Sequence, residues 1–274
     1  MAKQYTLADF ESAGLSITGP VREDNQDSIL LPNPSSPNFP GSLHAVADGM
    51  GGHANGGLAS NLAVQNLLKI VRSSEISLPP SKALQQASQV VNFEVYKAAQ
   101  QLGGEKMGTT LTAAYIFGNL LHLLHVGDSR AYLVRDGRAS CLTSDHTVVG
   151  DLVRSRLIPS ENIRTHAQRS VLTRAIGLGL FVQPELSQTK LQAGDRVILC
   201  SDGVWSVIED QEFAEQTGRA RDVHSLAQNL VDLAIDHETD DNCSVVAIQI
   251  RGFRFQTFEE EPRKERGWLG FLRK

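Results

Sequence analysis

Aspartates at the ends of apolar runs are the residues of this chain best suited to chemistry. Three such runs are Ala45-Val46-Ala47-Asp48-Gly49, Leu124-His125-Val126-Gly127-Asp128 and Ile198-Leu199-Cys200-Ser201-Asp202-Gly203. A fourth acidic pair, Asp240-Asp241, followed by Asn242, precedes the run from Ser244 to Ile250. Singly, each is explained by turn chemistry, because Asp-Gly is a common turn dipeptide. Jointly, carboxylates at several strand ends can converge on one edge of a sheet, where like charges repel unless a cation neutralises them. Hard oxygen donors select Mg²⁺ or Mn²⁺ over zinc, which prefers His and Cys. A glycine after the aspartate also frees a backbone carbonyl to approach a metal.

Strands must carry these aspartates to one place. Leu15 to Thr18 alternates, Ile29 to Leu31 is apolar, and the Pro/Ser/Asn cluster from Pro32 to Pro40 reads as a loop before Leu43 to Ala47. Ala59, Ala63, Leu67, Ile70 and Val71 recur at helical spacing. So do Leu84, Ala87, Val91, Val95, Ala98 and Leu102, with Ser81 as the expected N-cap after Pro79-Pro80. Apolar runs at 111–117, 120–126 and 131–134 are separated by Gly118-Asn119 and Gly127-Asp128. The Arg-rich stretch from Thr147 to Arg169 has weak periodicity and reads as an exposed insertion. Strands resume at 185–191 and 196–200, a helix capped by Asp222 carries Val223, Leu226, Ala227, Leu230, Leu233 and Ala234, and 244–250 is the last strand. Strict β-α-β alternation is absent, so an α+β layered domain with antiparallel sheets is expected.

Composition narrows the function. The 274 residues are 41% hydrophobic and 21% charged, enough for a real core. No apolar run approaches the ~18 residues of a membrane span, and the polar start lacks the form of a signal peptide, which places the protein in the cytoplasm. Three widely spaced Cys make no disulfide framework. A net charge of -5 argues against general nucleic-acid binding. The acidic surplus lies before residue 250, while 251–274 is basic.

The motifs also carry a resemblance. Val21-Arg22-Glu23-Asp24-Asn25-Gln26-Asp27, Val46-Ala47-Asp48-Gly49-Met50-Gly51-Gly52-His53, Gly108-Thr109-Thr110, His125-Val126-Gly127-Asp128-Ser129-Arg130-Ala131-Tyr132, Leu172-Thr173-Arg174-Ala175-Ile176-Gly177, Ser201-Asp202-Gly203-Val204-Trp205 and Asp241-Asn242-Cys243-Ser244 occur in the order found in metal-dependent protein phosphatases. The chain resembles the bacterial form of this PPM (type-2C serine/threonine phosphatase) family over roughly residues 12–250. The resemblance implies two antiparallel sheets packed as a sandwich with flanking helices (αββα layers), one catalytic domain over 1–250 and a flap at about 147–169 beside the active site; the basic, Glu- and Pro-containing stretch 251–274 reads separately as a flexible tail. It implies two or three Mn²⁺ or Mg²⁺ ions. Asp48 resembles the bridging ligand and Gly49 a carbonyl ligand. Asp202 and Asp241 resemble ligands of the other metal, and Asp128, with Asp202, ligands of a third. Asp27 matches the residue that holds metal-bound water, and Arg22 the residue that binds the substrate phosphate. The implied reaction is hydrolysis of phosphoserine and phosphothreonine in proteins by in-line attack of a metal-bridging water or hydroxide. The implied partners are a bacterial serine/threonine kinase and its substrates, in a signalling role.

Two positions depart from the eukaryotic pattern. Gln26 stands where many relatives have Glu. Met50 stands where a His serves as proposed general acid, and His53, three residues on, is either its replacement or a residue that packs beside the next helix. Arg154, Arg156 and Arg164 of the flap either touch a phosphoprotein or form a solvated surface. Asp145-His146 precedes the flap without an assigned role. His122 and His125, three apart on a strand, point to opposite faces and so share no metal. Trp268, Leu269, Phe271 and Leu272 among basic residues make the tail a partner-docking peptide, a weak membrane contact or an ordinary tail. Two rival classes fit less well. An esterase built on Gly127-Asp128-Ser129 finds Asp236-His237 at the wrong spacing, and a pseudophosphatase would not need every metal-site aspartate.

Overall fold

Successive side chains of a strand point to opposite faces, so a strand with both rows apolar must be covered on both sides. The computed structural model describes residues 2–32, 41–52, 55–74, 78–103 and 106–259. In chain order its elements are β1 (Ala2–Ile17), β2 (Asp27–Leu30), β3 (Gly41–Gly51), α1 (Asn55–Ser74), α2 (Pro80–Gln101), β4 (Met107–Thr109), β5 (Leu111–Phe117), β6 (Leu120–Val126), β7 (Arg130–Arg135), β8 (Arg138–Cys141), α3 (Val148–Arg154), β9 (Glu185–Lys190), β10 (Arg196–Cys200), α4 (Asp202–Trp205), α5 (Asp210–Arg219), α6 (Val223–Asp236) and β11 (Cys243–Glu259). One sheet has the order β1-β11-β10-β7-β8 and the other β2-β3-β5-β6-β9, with β4 added to β3. All the strand pairings are antiparallel.

The two rows of each central strand serve two interfaces. Val46, Leu121 and Leu123 of one sheet meet Val197, Leu199, Val246 and Ile248 of the other inside the sandwich. Leu43, Ala45 and Ala47 turn the other way, onto α1 and α2 through Leu67, Leu84 and Val91. Ile198, Cys200, Val245 and Ala247 pack under the second helical layer with Trp205, Phe213, Leu226 and Leu230. The result is the expected helix–sheet–sheet–helix stack.

Local differences have physical causes. α2 begins at Pro80, which fits the first helical position because its φ is fixed and it has no N–H to satisfy. Ser81 is therefore not the cap; its hydroxyl meets His122 Nδ1 at 3.1 Å and accepts from Gln188. His122 thus faces α2, whereas His125 hydrogen-bonds Thr112 on the opposite face. Asp222 does cap α6, accepting from the Ser225 N–H. β11 does not stop near 250. It runs to Glu259, pairing with β1 across a register shift at Asp9/Phe10, so the expected domain boundary falls inside a strand. An edge ribbon can keep Arg251 and Arg254 exposed and still pair through its backbone. The apolar end of the tail, and most of the loop expected from Pro32 to Pro40, lie outside the described residues. Among the described residues no helix is long and apolar enough to cross a membrane.

Candidate metal centre

The ends of β2, β3, β10 and β11 and the β6–β7 turn meet at one end of the sandwich. There they surround a cleft of about 790 Å³ whose walls include Arg22, Asp48, Gly49, Asp128, Asp202 and Asp241. Asp27 stands directly opposite Asp48 in the β2–β3 ladder. Asp48 is held by its backbone. Its N–H donates to Thr110 Oγ1 (2.8 Å), and its carbonyl accepts from Thr109 Oγ1 and the Thr110 N–H (both 2.8 Å). Gly49 threads a gap that admits no side chain, since a Cβ there would sit 2.0 Å from the Gly56 carbonyl oxygen. Asp202 opens α4 one residue after Ser201, whose hydroxyl donates to Asp27 at 2.8 Å. Asp241 precedes β11 and accepts from Arg22 at 2.6 Å; the same guanidinium donates to the Asp240 carbonyl. Asn242 ties this corner to the chain bearing Arg22, accepting from the Gln26 N–H and donating to the Asp24 carbonyl.

Four of these carboxylates, Asp27, Asp48, Asp128 and Asp202, hold their protons more tightly than a free carboxylate. For these four, packing within protein on the sides away from the cleft is the largest cause. Desolvation, opposed by hydrogen bonds from Ser244 and Ser201 and reinforced by the charges of Asp202 and Asp241, pushes Asp27 up to about 7. Asp202 is raised to about 6 by desolvation and by Asp241, with a hydrogen bond to Asp48 pulling the other way. Asp48 and Asp128 are raised well above the carboxylate range by desolvation and then by neighbouring aspartates, chiefly Asp27 for the first and Asp202 for the second.

As the side chains stand, no three His, Cys, Asp or Glu among the described residues converge on one centre at ligand distance. The hydrogen-bonded Asp48 and Asp202 form a pair, with Asp27, Asp128 and Asp241 around it. Like charges this close do not close further without a counter-charge. The residues nonetheless fit a hard divalent cation. The donors are carboxylate oxygens, and Asp202 Oδ1 is fully buried with no hydrogen-bond partner. An oxygen left in that state is costly unless a cation or proton meets it.

Around this centre the structure sorts the remaining candidates. Arg22 reaches the cleft with half of its side chain exposed (53%), paired to Asp241. Gln26 and Met50 line the same cleft. His53 lies outside the described residues. The flap is tied down more than its weak periodicity suggests. Thr147 caps α3 through Gly150, and Arg154 donates to the Asp145 carbonyl and pairs with Asp151. Arg164 donates to the carbonyls of Trp205 and Ile208 and to Asp210. Arg154 and Arg164 are thus struts to the body of the protein, while Arg156 is exposed. Asp145 now has a role. It pairs in two-pronged fashion with the buried Arg130 (2.9 and 2.7 Å), whose guanidinium stacks 3.4 Å from the Trp205 ring centroid. The Trp205 indole donates to the Asp128 carbonyl at 2.8 Å. His146 accepts from the Gly127 N–H beside Asp128. Thr109, Thr110, Ser201, Asn242 and Trp205 all stand in the quoted motifs, but their part in orienting the aspartates is visible only once the chain ends are brought together.

A family model described as protein phosphatase 2C matches residues 18–243. The chain belongs to the protein phosphatase 2C family. It is 37% identical to the serine/threonine protein phosphatase PstP of Mycobacterium tuberculosis over 243 residues, 87% of this chain and 44% of that protein; the chain thus spans less than half of that relative's length. The crystal structure of the serine/threonine phosphatase Stp1 of Staphylococcus aureus superposes with a TM-score of 0.82 at 29% identity, covering 90% of this chain and 97% of that one. The catalytic domain of a PstP solved in complex with two manganese ions superposes with a TM-score of 0.74 at 33% identity, covering 90% of this chain and 99% of that one. For this family member the sandwich with helices on both outer faces is therefore the common fold.

Proposed function

We propose that this chain hydrolyses phosphoserine and phosphothreonine monoesters of proteins, with Mn²⁺ or Mg²⁺ as cofactor, and so opposes a serine/threonine kinase. The observation that carries this reading is the convergence of aspartates from both sheets on one cleft that also holds an arginine. Asp48, the Gly49 carbonyl, Asp202 and Asp241 would hold two cations, and Asp128 with Asp202 a third. Such ions supply a deprotonated water at neutral pH and neutralise charge on phosphoryl oxygens. Asp27, held by the Ser201 hydroxyl and opposite Asp48 in the ladder, would orient water beside the ions. Arg22 offers a planar fork of donors suited to a phosphate, and a cation that takes over Asp241 would free that fork to face the substrate. Charge development in the transition state would be met by Arg22 and the ions these aspartates hold, and such electrostatic stabilisation is where catalysis of phosphoryl transfer chiefly lies. The kinship with named serine/threonine phosphatases supports the substrate class.

The test is phosphate release from a phosphothreonine peptide with Mn²⁺, with Mg²⁺ and with chelator, beside Asp202→Asn. Metal-dependent release that disappears in the variant is expected. A folded, metal-loaded protein that releases no phosphate from peptide or small ester would overturn the reading.

A further inference from the structure

We infer that the loop after Ile176 is a substrate-docking rim, and that the preferred phosphoprotein segment carries a bulky apolar residue within a few positions of its phosphorylated side chain. This rests on the phosphatase reading above and deepens it by naming a feature of the substrate.

The loop is joined to the catalytic aspartates by a short chain of contacts. Thr109, which holds the Asp48 carbonyl, exchanges backbone hydrogen bonds with Ile176 in both directions (3.0 and 2.9 Å). From there α2 grips the loop. The buried Asn92 accepts from the Gly177 N–H (2.9 Å) and donates to the Gly179 carbonyl (2.8 Å), and Gln89 donates to the Val182 carbonyl (2.8 Å). Gly177 takes a φ of +90°, and a Cβ there would meet Val95 at 2.4 Å, so the backbone lies flush on the helix. Val182 anchors the far end in the core.

A loop pinned at both ends is expected to bury its apolar side chains. This one does the opposite. Leu178, Leu180 and Phe181 point outward, with Phe181 87% exposed, and Phe93 of α2 is also exposed one turn from Gln89. Leu178 is itself part of the cleft wall. Leu178 thus links the cleft wall to the pinned loop that carries the exposed Leu180 and Phe181. Rigid apolar side chains cost little entropy to dock, so such a rim favours a partner with a matching side chain. Leu178 makes the loop continuous with the cleft that receives the phosphate, and this continuity favours a phosphoprotein segment over a second copy of this chain as its occupant.

The experiment uses the full chain and Phe181→Ala. Phosphothreonine peptides carry Leu, Phe, Ala or Lys at each of the three positions on either side, and 4-nitrophenyl phosphate serves as a small ester with no flanking segment to lie on Phe181. The expected result is a preference of about tenfold in kcat/KM for Leu or Phe at one or two positions, carried mainly in KM, and erased by Phe181→Ala. Hydrolysis of the small ester is unchanged. Equal kcat/KM for apolar and Ala peptides, or an equal loss on all peptides in Phe181→Ala, overturns the docking rim while leaving the phosphatase reading intact. A dimer in size-exclusion chromatography that Phe181→Ala dissociates, with no peptide preference, would assign the patch to a second copy and also overturn it. Failure on the small ester as well would sink both readings.

Discussion

Asp27 and Asp48 face each other across one rung of an antiparallel ladder, a position where like charges destabilise a sheet. That placement makes the protein's stability depend on pH and on metal together. In the unfolded chain aspartate carboxyls titrate at about 4. In the folded chain Asp27 is raised to about 7 and Asp202 to about 6, each chiefly by desolvation. The folded state therefore binds more protons than the unfolded state between those values, so ∂ΔG/∂pH is negative there. The stabilisation is complete below the unfolded value and is lost as pH rises through about 6 to 7. Chelator-treated protein should melt several degrees lower at pH 8 than at pH 5.5, and saturating Mn²⁺ should remove most of that drop. Asp27→Asn should raise the melting temperature of the chelated protein at pH 8 while weakening its response to Mn²⁺. Thermal scans with and without chelator decide this; a chelated melting temperature that rises steadily from pH 5.5 to 8 contradicts it.

The flap and the strand ends differ in what holds them, and so in how far they can be read without a structure. Arg164, mostly buried, ties the flap to the turn between α4 and α5 through carbonyls of Trp205 and Ile208 and through Asp210. Arg164→Ala should release the flap, giving faster tryptic cleavage at Arg156 and Arg169, with little change in the global urea midpoint because the three apolar clusters do not include the arginine. Mass spectrometry of timed digests reads this out, and an unchanged cleavage rate would mean the flap is held by other contacts. The strand-end aspartates are legible in the sequence because apolar runs, turn dipeptides and motif order are all local signals. The partners of Arg154, Arg164 and Asp145 are not, because a charged residue that bonds a distant carbonyl looks like any solvated charge until the chain is folded. α5 escapes a periodicity reading for a related reason: only Phe213 and Thr217 of its ten residues are buried, and its start is marked by the Glu209–Glu212 capping box rather than an apolar stripe. The convergence of Asp27 with Asp202 and Asp241 is legible only through the resemblance, since nothing in spacing alone brings 174 residues of separation to 2.8 Å at Ser201.

At the scale of the whole molecule, the two ends of the described chain close one sheet. Among the described residues β1 is an edge strand paired with β11 alone, and residues 252–259 pair with Ala2–Asp9 beyond the register shift. The far half of that ribbon is held by backbone pairing, with Phe255 and the arginines exposed. Truncation after Glu259 should leave folding and phosphate release unchanged. Truncation after Ile250 removes the partner of Ala2–Asp9 and several ladder hydrogen bonds, each worth about 1 kcal/mol net. It also leaves unpaired N–H and C=O groups on an edge, a template for pairing with another chain. The shorter protein should melt lower and gain a concentration-dependent dimer or aggregate in size-exclusion chromatography. The aspartate-lined cleft sits among β2, β3, β10 and the start of β11, where Cys243 to Ile250 keep their partners on β1 and β10. Phosphate release per folded monomer should therefore survive the same truncation. Loss of activity in a truncated chain that still melts cooperatively as a monomer would show that the ribbon acts on the site itself rather than on the edge of the sheet.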